Sequence, residues 1–224
     1  MAENTEENQT NTTHFWVSTY PFFQTSLHIL AEEEEKPTSV TLYDPDGREI
    51  NQLSILYPPF SVGTIEMDEM MGACKLESGL KHAHLVVTTP RNHSCMCRLN
   101  GYNTSVILGR CAAITSEYPG FLPIHLSESR TPLIALVNQT PLDTNVRCKL
   151  FTGTRALEVI RNVPGNGVRL ISLKGDFKDL VESIKLPTFG YLKLIVRETD
   201  ASIGVQLVEQ SKEEKVGNIF SSLT

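Results

Sequence analysis

The 224-residue chain has no apolar run approaching the roughly 18 residues that a membrane-spanning helix needs. Its first segment, Met1 to Thr13, is a polar run of Asn, Thr and Glu without the basic start and apolar stretch of a secretory leader. No membrane association is expected, and the chain reads as cytoplasmic unless a leader was removed before this numbering. Cysteine is scarce. The five, at 74, 95, 97, 111 and 148, are an odd number without framework spacing, which predicts reduced, buried thiols and no disulfide scaffold. Excess positive charge is also lacking: 20 Lys and Arg against 26 Asp and Glu give a net charge of -6. Without a broad positive field, nucleic acid is not an expected partner. No nucleophile elbow, phosphate-binding glycine loop, dinucleotide fingerprint or paired-Cys zinc spacing occurs, so no enzyme, catalytic residue or cofactor is expected.

What is present is an internal repeat. Ile65 and Ile171 stand 106 positions apart, and the same offset lays Pro58 on Pro164, Val62 on Val168 and Met67 on Leu173. It also lays Phe15 on Phe121, Leu27 on Leu133 and Leu30 on Leu136. The offset drifts to 108 between Val40–Tyr43 and Cys148–Phe151, and to 109 between Leu85–Val87 and Leu194–Val196, as short loop insertions allow. This predicts two copies of one unit at 14–100 and 120–209, with a disordered tail at 1–13 and a C-terminal tail at 210–224. Residues 101–119, which contain Ser105-Val-Ile-Leu108, read as a packed connector.

Within each copy, apolar residues alternate in short runs bounded by Pro, Gly, Asp and Asn, the pattern of half-buried strands. Strands are expected near 14–19, 26–31, 39–44, 48–56, 61–67, 80–88 and 94–100, and again near 121–126, 132–138, 145–151, 155–162, 167–173, 190–197 and 202–209. Seven short strands in about 90 residues predict a mainly β protein of two tandem, duplicated antiparallel β-sandwiches with immunoglobulin-like architecture. The resemblance is one of pattern, because the Cys, Trp, Cys spacing of immunoglobulin domains is missing. A short crossover helix is expected in each copy. Asp176 would cap a helix that brings Phe177, Leu180, Val181 and Ile184 to one face, and Asp68 to Cys74 would be its counterpart.

The sharpest chemical candidate is Lys81 to Leu99, read as a hairpin. His82 and His84 share one strand face, and Cys95 and Cys97 share one face of the next, a set suited to tetrahedral zinc or to redox chemistry if the faces coincide. The His-Ala-His is similar to the metal motif of cupins, but Thr88 or Thr89 stands where their glutamate belongs. The competing reading makes the two Cys core residues, equivalent to Ile203 and Val205, and turns the two His outward. That reading is favoured, and no metal site is assigned.

His28 and His125 read as hydrogen-bonded structural histidines, and Asp44-Pro-Asp-Gly47 as an ordinary turn. Phe15, Trp16, Tyr20, Phe22 and Phe23 form an aromatic group that is core or, with an exposed edge, a ligand or partner surface. The function expected is a non-enzymatic scaffold or protein-interaction protein that self-associates. The alternatives are a small-ligand or carbohydrate-binding module and, last, the zinc or redox site at His82, His84, Cys95 and Cys97.

Overall fold

Where every second side chain is apolar, one face of an extended segment can dry against a core while the other stays wet. In β13 (Thr144–Thr152), Val146, Cys148 and Leu150 are buried while Arg147, Lys149 and Phe151 between them reach solvent. The computed structural model describes residues 10–19, 23–32, 35–74, 76–77, 80–101, 105–128 and 130–211. Most of both expected tails, at 1–9 and 212–224, lies outside the described residues. The first half contains β1 (Thr10–Thr19), β2 (Phe23–Ala31), β3 (Pro37–Tyr43), β4 (Glu49–Leu56), β5 (Ser61–Glu66), β6 (Leu76–Glu77), β7 (Leu80–Pro90) and β8 (Ser94–Gly101). Then come β9 (Ser105–Leu108) and β10 (Ala112–Ile114), both within the connector. The second half adds β11 (Gly120–Leu126), β12 (Arg130–Asn138), β13, β14 (Arg155–Val163), β15 (Val168–Ser172), β16 (Thr188–Val196) and β17 (Ile203–Ser211).

These strands build four antiparallel sheets. Sheet 1 runs β1-β7-β3-β4, with β6 also against β7, and sheet 2 runs β5-β2-β8-β9. Sheet 3 runs β10-β17-β12-β15, and sheet 4 runs β11-β16-β13-β14. Counted from β10 to β17 as strands one to eight, the first pairs with the eighth, the second with the seventh, the third with the sixth and the fourth with the fifth. That wrapping is the strand order of a jelly roll. It overturns the immunoglobulin-like order, in which the last two strands lie side by side in one sheet. Here β7 and β8 lie in different sheets, as do β16 and β17. Both orders use similar strand lengths and spacings, so only long-range pairing separates them.

The first half has the same order. β1 to β5, β7 and β8 take the places of β11 to β17, and β9 takes the edge place held by β10. The connector thus supplies one edge strand to each half. Ladder partners correct the offsets expected from the sequence. Leu27 pairs with Ile65 and Cys97 as Ile134 pairs with Ile171 and Leu207, and Phe15 pairs with Leu85 as Leu122 pairs with Leu192. Phe15 and Leu27 therefore answer to Leu122 and Ile134, one residue beyond the expected Phe121 and Leu133, and Leu85 answers to Leu192. A slip of one residue exchanges the two faces of a strand, which is why Phe121 and Leu133 point away from the second core. The offset of 106 does hold at the turns after β4 and β14. Phe60 and Asn166, 106 apart, both adopt φ 57, the positive-φ non-glycine positions among the described residues.

Each half carries its helical interruption after β5 or β15. α1 (Met67–Met70) runs into a 3-10 turn ending at Ala73 and buries Met67, Met70 and Met71. α2 (Leu173–Asp176) and α3 (Lys178–Glu182) flank Phe177, and bury it with Leu180 and Val181. Asp176 does not cap the helix. Ser172 does so by accepting the Gly175 N–H, while Asp176 accepts the Ser172 N–H and the Arg161 guanidinium.

One core fills the space between sheets 1 and 2, another that between sheets 3 and 4. Trp16, Ser18, His82 and His84 leave the opposite face of sheet 1 and are nevertheless buried. Ala135, Val137 and Val168, from the outer face of sheet 3, join the same apolar cluster as Trp16. The layers accordingly follow in the order sheet 2, sheet 1, sheet 3, sheet 4. No helix among the described residues is long and apolar enough to cross a membrane.

Candidate interaction faces

Inside the chain the outer face of sheet 1 already works as a binding surface. Across it Trp16, His84 and Tyr43 stand in one row of ladder partners, with His14 and His82 in the flanking rows. His84 Nδ1 lies 2.8 Å from the Asn166 carbonyl oxygen, which can only accept, so Nδ1 carries the proton and donates. Nε2 is then the acceptor for His14 Nδ1–H at 2.9 Å, and the two rings stack with centroids 5.1 Å apart. Burial holds His84 down to about 4, with the bond to Asn166 opposing the shift and the neighbouring His14 adding to it; burial also lowers His14. The pair is neutral at physiological pH. Two turns lock the same contact: Val168 N–H donates to the Pro45 carbonyl at 3.0 Å, and Gly47 packs on Gly165. Asp44-Pro-Asp-Gly47 is a turn closed by Gly47 N–H to Asp44 C=O, with the Asp44 carboxylate accepting from Asp46 and Arg48.

His82, His84, Cys95 and Cys97 are not brought together. His82 and His84 project from sheet 1 toward sheet 3, whereas Cys95 and Cys97 belong to sheet 2 and pair with Ile29 and Leu27 on its inner face. The turn at Arg91 and Asn92 carries the chain from one sheet to the other, so the expected hairpin does not form. Burial pushes the Cys97 thiol well above its ordinary range and Cys111 and Cys148 up to about 12; Cys95 is raised too, against a Thr13 hydrogen bond. Such thiols stay protonated, which makes them poor ligands and nucleophiles. Among the described residues no group of three or more His, Cys, Asp or Glu could hold a metal ion.

The aromatic group near the start divides. Phe15 enters the first core and Trp16 the contact between sheets 1 and 3, each about 1% exposed. Tyr20 and Phe22 lie outside the described residues, as does the side chain of Phe23. His28 on the outer face of sheet 2 bonds Thr64 and Ser26, both at 3.1 Å. A cleft of about 580 Å³ opens beside Thr13, Phe15, Cys95, Leu108 and Arg110, where β9 stops pairing at Leu108. In the second half β10 runs on to Ile114, which is buried and lies against Gly120.

Aromatic surface is exposed elsewhere, on the outer face of sheet 4. Pro123, Tyr191 and Phe151 form one row; Phe121, Lys193 and Lys149 form the next; His125 and Phe189 form a third. Phe151 and Tyr191 stack at 4.6 Å, His125 and Phe189 at 4.7 Å, and the two ammonium groups sit over the Phe151 and Phe121 rings at 5.1 and 5.4 Å. Phe189 is 77% exposed, Phe121 53% and Tyr191 44%. No protein-family model matches this chain, and no curated protein does. The face is therefore read from its own chemistry. Its rows coincide with those of sheet 1: Pro123, Tyr191 and Phe151 take the places of Trp16, His84 and Tyr43, while Phe121 and Phe189 take those of His14 and His82. Four of these five places carry an aromatic ring in both halves.

Sequence reasoning missed this face. Its strands show the alternation, with Phe189, Tyr191 and Lys193 at every second position, but the rings become a surface only when β11, β16 and β13 are known neighbours. Among the described residues the outer face of sheet 2 is also left uncovered, and Leu30, Val62, Met96 and Ile107 are exposed on it.

Proposed function

We propose that this chain is a non-enzymatic protein-interaction protein that works through the outer face of sheet 4. Its two halves are read as duplicated sandwich modules, one of which has its ring-rich face covered within the chain while the other presents it. The observation that carries the reading is the exposure of Phe121, Phe189 and Tyr191 as neighbours on one sheet face. Contiguous exposed apolar patches of this kind are uncommon on monomers and mark binding surfaces. Aromatic side chains suit a protein partner, because they bury much area at low conformational cost.

A carbohydrate ligand fits less well, because sugars stack on bare ring faces. Lysine ammonium groups sit over Phe121 and Phe151, and Tyr191 stacks on Phe151. A photo-crosslinking amino acid in place of Phe189, used in the native host, is expected to yield protein adducts that Tyr191→Asp abolishes. Adducts unaffected by Tyr191→Asp, or none above those from the same probe at exposed Thr154, would remove this face as the working surface.

A further inference from the structure

We infer that copies of this chain associate head to tail, the outer face of sheet 4 of one molecule seated on the outer face of sheet 2 of the next. The inference rests on the reading of sheet 4 as a partner surface and names the partner as a second copy. By strand order, sheets 1 and 4 are equivalent, and so are sheets 2 and 3. Within the chain the outer face of sheet 1 covers the outer face of sheet 3. A contact of sheet 4 on sheet 2 would repeat that contact with the same two kinds of face, using the copy of each that is open among the described residues.

The rows correspond in register, and the one through Val137 is apolar on both sheets, whereas Leu133 and Leu170 of sheet 3 have Ser26 and Thr64 in their places on sheet 2. Inside the chain, Val137 and Val168 are neighbours in the receiving face, and their equivalents on sheet 2, Leu30 and Val62, are neighbours that stand exposed. Gln206 opposite Ala135 has its equivalent in Met96 opposite His28. One internal link runs from His84 to Asn166. Tyr191 holds the place of His84, and Phe60 that of Asn166, so the repeated contact sets Tyr191 of one molecule against Phe60 of the next.

That pairing accounts for Phe60, which is otherwise out of place. It is 79% exposed and held at φ 57, a left-handed conformation that asparagine adopts readily and phenylalanine does not. The turn at Thr152 to Arg155 likewise corresponds to Asp44–Arg48, yet Gly153 has open space where Gly47 packs on Gly165. Because the two mating faces differ, the contact is heterologous. It closes into a ring or continues as a filament, and cannot stop at a symmetric dimer.

Sedimentation velocity from micromolar to near-millimolar full-length protein tests this. The wild type is expected to grow past the dimer with concentration, while Phe60→Asp and Tyr191→Asp should each remain monomeric. Aspartate is tolerated at positive φ, and circular dichroism with unfolding midpoints shows whether each variant is folded; Phe189→Asp, at a more exposed position, replaces Tyr191→Asp if that one is not. An equimolar mixture of Phe60→Asp and Tyr191→Asp should form a complex of two and no more, since it contains one intact face of each kind. A wild type that stays monomeric throughout overturns the inference, and so does a dimer that either variant leaves intact or a mixture in which no pair forms. A monomeric wild type whose Phe189 probe still crosslinks another protein would leave the proposed function standing; loss of both results would remove both.

Discussion

His84 shows how one side chain can tie acid sensitivity to the joint between the halves. In the unfolded chain it titrates near 6.5, and in the fold burial holds it down to about 4. The unfolded state therefore binds the proton first as pH falls. Stability is complete above 6.5, is lost as pH drops from 6.5 to about 4, and levels off below. Linkage puts the loss between about pH 7 and about pH 5 at roughly 2 kcal/mol. Urea unfolding at those two pH values should find it. His84→Gln keeps an N–H for the Asn166 carbonyl but cannot titrate, so it should be less stable at pH 7 and keep only the slope that His14 contributes. An unchanged slope in that variant would place the sensitive group elsewhere.

At the scale of elements, turns position the halves as much as strands do. Gly47 has φ 81, and a Cβ there would lie 1.9 Å from the Gly165 carbonyl oxygen. The turn after β3 and the turn after β14 are thus in backbone contact, a closeness that a side chain forbids. Gly153 in the equivalent turn has φ 56 but nothing within 4 Å of its Cβ position. Gly153→Ala should cost about 1 kcal/mol, the penalty of the left-handed backbone alone. Gly47→Ala should cost at least about 2 kcal/mol, because the turn must also withdraw from the turn after β14. Denaturant midpoints at constant slope measure both. Equal losses would mean that the two turns do not depend on each other.

The whole molecule is four layers deep, and its single tryptophan stands at the middle joint, between sheets 1 and 3. Burial of that joint should make the two halves one cooperative unit. Tryptophan fluorescence and far-ultraviolet circular dichroism are expected to report the same unfolding transition. Trp16→Ala removes the largest side chain from the joint and should cost about 3–5 kcal/mol. It should also separate the transitions of the two halves, as seen by circular dichroism. Two resolved transitions in the wild type would show instead that the halves fold independently.

Alternation along the chain determined that it is mainly β, because period two is a property of one strand and needs no partner. The offset of 106 located the two turns at Pro58 and Pro164, where the backbone repeats to the same φ at Phe60 and Asn166. Parity likewise separated the faces of Cys95 and Cys97 from those of their neighbours. The sheets were decided by the tertiary structure alone. Residues 90–93 can close a hairpin or carry the chain across a sandwich, and only the partners of β7 and β8 settle which, so the immunoglobulin-like order and the His/Cys hairpin failed together. The candidate face was hidden for the same reason. His82 and His84 occupy the same places in their strand as Phe189 and Tyr191 in theirs, yet sheet 3 covers one pair and leaves the other in solvent. Which surface is left open depends on how sheets stack, and that is fixed by contacts between residues far apart in the chain, His84 with Asn166 and Pro45 with Val168 among them.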